Sequence, residues 1–206
     1  MHIPRSFVSA VVLVVLFLAC LPGAFSQDAP APFVGINVEG AMDWQHQYLF
    51  ADAMKQSRGW GSPATPWDLA APLDDLGWPT ADAGIVVISN GAFIGGVYRM
   101  SFRGRADVLS LDRSGVVRNL GYDPAADSSG ADLDVSAAAR GIMLSFRNTN
   151  GGVRDVRLIR PGYAEGESFT RPFLELIRPF SCLRVMQYAA TNGNWSPSTG
   201  NMVAEW

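Results

Sequence analysis

Hydrophobic positions fall into three regimes along this chain. Phe7 to Leu21 is an almost continuous apolar block. From Phe33 to Pro79 the pattern is weakly periodic and broken by Gly, Pro and Trp. From Gly84 to Ile159 short apolar or alternating runs are each closed by turn-forming residues, the mark of strands. This third regime predicts strands at Ile85–Ile88, Tyr98–Phe102, Val108–Leu111, Val116–Leu120, Leu133–Val135, Ile142–Phe146 and Val153–Ile159. Ser89-Asn90-Gly91 reads as a turn because Asn and Gly tolerate positive φ. Residues 123–130 read as a polar loop, and Asn150-Gly151-Gly152 as a hairpin joining the last two strands. Short strands with tight turns and no intervening helix point to a mainly β fold, an antiparallel β-sandwich of jelly-roll or immunoglobulin-like type.

The second regime is harder to read. Phe33 to Val38 suits a first strand. Trp44 to Gln56 suits a helix, since Tyr48, Leu49, Ala53 and Met54 fall near helical spacing and Asp43 can accept the free amide hydrogens at its start. A loop crowded with Gly, Pro and Trp follows over 57–83. Trp44, Trp60, Trp67 and Trp78, four of the six tryptophans, lie in this regime.

Past Ile159 the pattern changes again. Arg160-Pro161-Gly162 should stop the last strand, because Pro cannot donate to a ladder. Thr170 can then cap a helix at Arg171–Ile177 with Pro172 in its first turn. Cys182 to Tyr188 follows as an apolar strand, which needs cover on both faces as in a parallel sheet wrapped by helices. Phe173, Leu174 and Ile177 are expected to pack back on the sandwich, and Cys182 to be a small buried hydrophobe. The expected organisation is a signal peptide over 1–26, a linker over 27–32, a sandwich domain over 33–162 and a short α/β stub over 163–206.

The opening block sets the address. His2 and Arg5 precede it, and Ala24-Phe25-Ser26 offers small residues for signal peptidase, so cleavage is expected after Ser26. The apolar core of this block is shorter than the roughly 20 residues that span a bilayer. A secreted or periplasmic protein without a stable membrane anchor is expected, ahead of a single anchor or a lipoprotein through Cys20. Only Cys182 then remains, so no internal disulfide can form. A net charge of −3 with both signs interspersed leaves no basic face for nucleic acid.

Candidate chemistry is sparse. Asp74 with Asp75, and Glu165 with Glu167, sit in polar loops and read as solvated surface. His46 stands alone beside Trp44, which argues against a zinc site or a catalytic triad. Gly91, Gly95 and Gly96 serve turns, with no helix behind them to hold a phosphate. Asp107, Asp112, Asp123 and Asp127 lie near turns but follow no EF-hand spacing. No cofactor or metal is expected. Sugar binding needs aromatic faces flanked by hydrogen-bonding groups. Trp44 and Trp67, flanked by polar residues, suit it better than Trp60 and Trp78, which sit in compact turns.

The segments YRMSFRGRADV, LSFRNTNGGVRDVRLIRPGY, PFLELIRPFSCLRVM and TNGN, with INVEGAMDW, KQSRGW and LDDLGWP, resemble a family of large secreted bacterial proteins described as cellulose-binding or glycosidase-like. The resemblance covers nearly all of the chain after the signal. It implies an N-terminal β-sandwich followed by a (β/α) barrel, with the Cys182 strand as the first barrel strand of a chain truncated there. Tyr188, Asn192 and Asn194 would then face the barrel mouth. The family strand ends in Met-Asp-aromatic, whereas Met186-Gln187-Tyr188 stands here, so a carboxylate is missing from the end where barrels keep their chemistry. A glycosidase needs two carboxyl groups about 5 to 10 Å apart, and this much barrel cannot supply them. The resemblance therefore implies a carbohydrate-associated, non-catalytic module with a polysaccharide and the missing barrel domain as partners. The alternatives are a truncated glycoside hydrolase, or a structural sandwich that binds no sugar.

Overall fold

The computed structural model of the chain describes residues 34–38, 40–46, 48–91, 94–111 and 115–185. The expected signal peptide and linker lie outside them, as do Tyr188, Asn192 and Asn194. One compact unit begins at Gly35, and its fold is mainly β. Its strands are β1 (Gly35–Asn37), β2 (Ala83–Ile88), β3 (Gly96–Arg103), β4 (Asp107–Leu111), β5 (Gly115–Asp123), β6 (Ser128–Val135), β7 (Ile142–Arg147), β8 (Arg154–Ile159) and β9 (Cys182–Arg184), with one α-helix, α1 (Arg171–Ile177).

Strands β2 to β8 form two antiparallel sheets, ordered β2-β7-β4 and β5-β6-β3-β8. Alternation decides which side chains meet between them. Tyr98, Met100 and Phe102 of β3 point inward while Arg99 and Arg103 point out, and Ala131, Leu133 and Val135 of β6 do the same. Leu144 and Phe146 of β7 close the core from the other sheet, with Phe146 edge-on to Phe102 at 5.4 Å. Strands β3 to β7 pair as strands B to F of an immunoglobulin sandwich do, B with E, D with E, and C with F. The first and last strands exchange places: β2 lies beside β7, where the last strand normally sits, and β8 lies beside β3.

That exchange corrects one turn. Strands β7 and β8 belong to different sheets, so Asn150-Gly151-Gly152 crosses between sheets and is not a hairpin. Gly152 is required there: its φ is 87°, and a Cβ would lie 1.7 Å from the Pro79 carbonyl oxygen. Ser89-Asn90-Gly91 also crosses between sheets, with Asn90 at φ 53°. Half of the supposed polar loop 123–130 is strand. Tyr122 pairs with Ser129 and Gly121 with Gly130, leaving only 124–127 as the hairpin turn. Small residues with weak strand preference are held in place by their neighbours' ladder.

The expected helix over 44–56 shrinks to a short 3-10 turn, Ala53–Gln56. Residues 49–51 are not helical because their peptide groups are bonded elsewhere: the Thr170 amide donates to Leu49 O, the Ala51 amide to Ser168 O, and the Arg160 amide to Ala51 O. Asp52 accepts from the Leu158 and Met54 amides at 3.0 Å each. The chain then runs along one side of the sandwich, bridging β8 through Asp52 and Ile159 and β2 through Gly61 and Gly84. Both sheet edges on that side are covered, which removes open templates for strand pairing. Asp43 caps no helix and instead accepts hydrogen bonds from Arg58 and Ser89.

The segment after Ile159 is tied to the same stretch. Arg160, expected at a domain boundary, is 7% exposed and donates to Phe50 O at 2.9 Å and Gln56 Oε1 at 2.8 Å. Thr170 caps α1, as its sequence position suggests, and its hydroxyl also donates to Tyr48 O. Phe173 does not enter the sandwich core. It forms a small second core with Val38, Leu49 and Phe50, with Ile177 against it, while Leu174 remains exposed. Strand β9 spans only Cys182–Arg184 among the described residues and pairs in parallel with β1. All three of its residues are exposed, Cys182 included, contrary to a buried apolar strand.

Candidate functional site

The tryptophans separate by burial. Trp60 is 2% exposed, wedged between Phe146 and Trp78, and its indole N–H has no hydrogen-bond partner among the described residues. Trp78 packs against the same core, and the Asp74 carboxylate accepts from its amide at 2.8 Å. Trp44 and Trp67 are 51% and 53% exposed.

Trp44 follows the buried Asp43. That carboxylate accepts from Arg58 Nε at 3.2 Å, Arg58 Nη2 at 2.9 Å and Ser89 Oγ at 2.7 Å. The Ser89 amide adds a bond to the Asp43 carbonyl, and the Arg58 amide bonds Val86 O on the edge of β2. A two-pronged guanidinium–carboxylate pair is directional, so it fixes the guanidinium plane as well as its position. That guanidinium lies 5.8 Å from the centre of the Trp44 ring. The tryptophan therefore rests on a cation that a buried acid holds still.

Trp67 lies in a loop pinned by its neighbour. Asp68 accepts from the Ser62 amide at 2.8 Å, Thr65 Oγ1 at 2.7 Å and the Ala70 amide at 2.9 Å. Hydrogen bonds from Ser62, Thr65 and Ala70 hold its carboxyl well below the usual carboxylate range. The bend continues into Leu69, whose φ is 57°, an uncommon value for a branched side chain.

A third feature lies beside the small second core. An apolar groove of about 150 Å³ is lined by Val38, Leu49, Phe169, Phe173, Leu183 and Val185 among others, with no polar surface. Nearby, Arg160 stacks over the Tyr48 ring at 4.7 Å, and burial pulls its pKa down. Burial likewise pushes the Tyr98 phenol up. Arg160 braces the 48–56 stretch against the sandwich through Tyr48, Phe50 O and Gln56 Oε1, while the Tyr98 hydroxyl donates to Ile94 O.

The sequence-derived candidates are thus dispersed. Trp44 and Trp67 sit on separate stretches, each beside its own anchored carboxylate. Asp107 and Asp127 are engaged with Asn148 Nδ2 and Tyr122 OH, and Asp112 lies outside the described residues. Among the described residues no three His, Cys, Asp or Glu side chains are grouped to hold a metal ion, and no helix is long and apolar enough to cross a membrane. Sequence reading missed Arg58 and the groove. Arg58 is fifteen positions from Asp43, and no local pattern links them. Phe169 gave no periodic signal because it lies in a non-helical stretch before α1. No family model, curated protein or solved structure matches the chain.

Proposed function

We propose that this protein is an exported, carbohydrate-associated, non-catalytic β-sandwich module that works beside a glycosidase-like barrel. The observation carrying this reading is the division among the tryptophans. Trp60 fills the core, whereas Trp44 and Trp67 hold more than half their surface in water on loops pinned by hydrogen bonds. Leaving a large aromatic ring exposed forgoes roughly 1.5 to 3 kcal/mol of burial. A fixed, exposed indole offers the flat face on which the C–H side of a pyranose stacks. The pinned carboxylates nearby keep each ring from collapsing onto the sandwich.

The partnership with a larger α/β domain draws on a different feature. Parallel strands are normally covered on both faces, yet β1 and β9 are largely exposed beside a wholly apolar groove. A further layer of helix and strand would bury both. The same groove favours the competing reading of a purely structural accessory sandwich, which would dock a barrel and ignore sugar.

Retention on polysaccharide separates the two. The chain from Gln27 onward, incubated with insoluble cellulose, chitin and xylan, should be retained on at least one of them, and soluble oligosaccharides of that polymer should alter its tryptophan fluorescence. Passage through all three with unchanged fluorescence refutes sugar binding and leaves the structural reading.

A further inference from the structure

Resting on that reading, we propose that Trp44 and Arg58 form a single sugar subsite, in which the indole stacks on a pyranose and the guanidinium both orients the indole and donates to a ring hydroxyl. Arg58 spends Nε and Nη2 on Asp43 and its backbone amide on Val86, leaving Nη1 without a hydrogen bond among the described residues. Its side chain is 32% exposed while that of Asp43 is 1% exposed, so the pair is buried at the acid end and open at the cation end. The open end is the one beside the Trp44 ring. Stacking alone does not distinguish one sugar face from another, and a fixed donor 5.8 Å from the ring centre adds that direction. The Asp43 carboxylate already balances the charge of Arg58, so the donor suits a neutral hydroxyl and does not recruit a free carboxylate.

Trp67 lacks this second element. Both oxygens of the neighbouring Asp68 accept from Ser62, Thr65 and Ala70, which makes the loop rigid, and among the described residues no cation lies over the Trp67 ring as Arg58 lies over Trp44. Of the two exposed tryptophans, Trp44 therefore carries specific recognition.

Affinity electrophoresis in native gels containing hydroxyethylcellulose or soluble arabinoxylan tests this, with polygalacturonate as the anionic comparison. The wild type should be retarded by a neutral polymer and not by polygalacturonate. Trp44→Ala, an exposed change that leaves the core intact, should abolish retardation, and Trp67→Ala should leave it near the wild-type value. Arg58→Gln should weaken binding about tenfold, the size of one hydrogen bond from a charged donor. Arg58→Lys, which keeps a cationic donor but loses the fork, should recover part of that loss. Thermal midpoints measured alongside separate lost binding from lost folding. Retardation lost in Trp67→Ala but kept in Trp44→Ala overturns the subsite while sugar binding stands, and so does Arg58→Gln binding like the wild type. Preferential retardation by polygalacturonate overturns the neutral-hydroxyl assignment. No retardation of the wild type in any gel overturns the subsite together with the sugar reading beneath it.

Discussion

The large core between the two sheets and the small one under β1 and β9 are built from the same residue types but finished to different degrees. In the sandwich, Ile85, Leu133, Leu144, Phe146 and Leu158 are fully enclosed, and the sheet edges on one side are covered by the chain itself. In the small core Phe50 is enclosed, but Phe173 lies at its margin, and Leu174, Leu183 and Val185 face solvent. The difference is one of layers. An element with an apolar face must bury it against another element, and β2 to β8 supply two layers where β1, α1 and β9 supply little more than one. The sandwich encloses its core between two layers, whereas the small core leaves an apolar groove open to solvent.

Truncating a side chain in each core sharpens the contrast. Phe146→Ala removes a ring touching both Phe102 and Trp60 and should cost about 3–5 kcal/mol in denaturant unfolding, a large share of a domain's total stability. Phe173→Ala removes the same atoms at the margin of the small core, where neighbours can settle into the space, and about 2 kcal/mol is expected. Equal losses at the two sites would erase the distinction.

A smaller effect concerns acid. Asp82 binds the crossing loop after β7 through the Asn148 amide at 3.0 Å, the Thr149 amide at 2.9 Å and Thr149 Oγ1 at 2.7 Å. Burial pushes its pKa up, but the bonds from Thr149 and Asn148, helped by Arg147, outweigh it and bring the carboxyl below its ordinary value. A depressed folded-state pKa stabilises the fold above the unfolded value near 3.9 and ceases to do so as pH falls through the folded one. Urea midpoints measured from pH 7 down to 3 should therefore fall for the wild type below about pH 4. Asp82→Asn should start lower at neutral pH and fall less. The smallest change is expected from Leu183→Ala on exposed β9, within about 0.5 kcal/mol. A large loss there would mean that β9 is already part of a finished core.

Much of the sandwich was legible in the sequence because at least one face of most strands is dry. Tyr98-Arg99-Met100-Ser101-Phe102 and Ile142 to Phe146 carry that information in their own side chains. The extension of β5 and β6 through Gly121, Tyr122, Ser129 and Gly130 was not legible, since those residues pair by register and carry little apolar signal. The spacing of Tyr48, Leu49, Ala53 and Met54 misled for a related reason. Leu49 serves the small core and Ala53 and Met54 the large one, so a chain passing between two cores imitated a helical stripe. At the candidate site, local context marked Trp44 and Trp67 because polar residues flank them. The support for Trp44 was hidden, because the Asp43–Arg58 pair and the Ser89 hydroxyl come together only through the fold.

Native-state hydrogen exchange tests the contrast between the two cores most directly. Amides in the ladders of β3, β6 and β7 should exchange only through global unfolding, with the full denaturant dependence of the sandwich. Those of Val38 and β9 should exchange through a smaller opening that depends little on denaturant. Exchange of Val38, β9 and the β3–β6 ladder at one common free energy would contradict the account, because it would make the small core as finished as the large one.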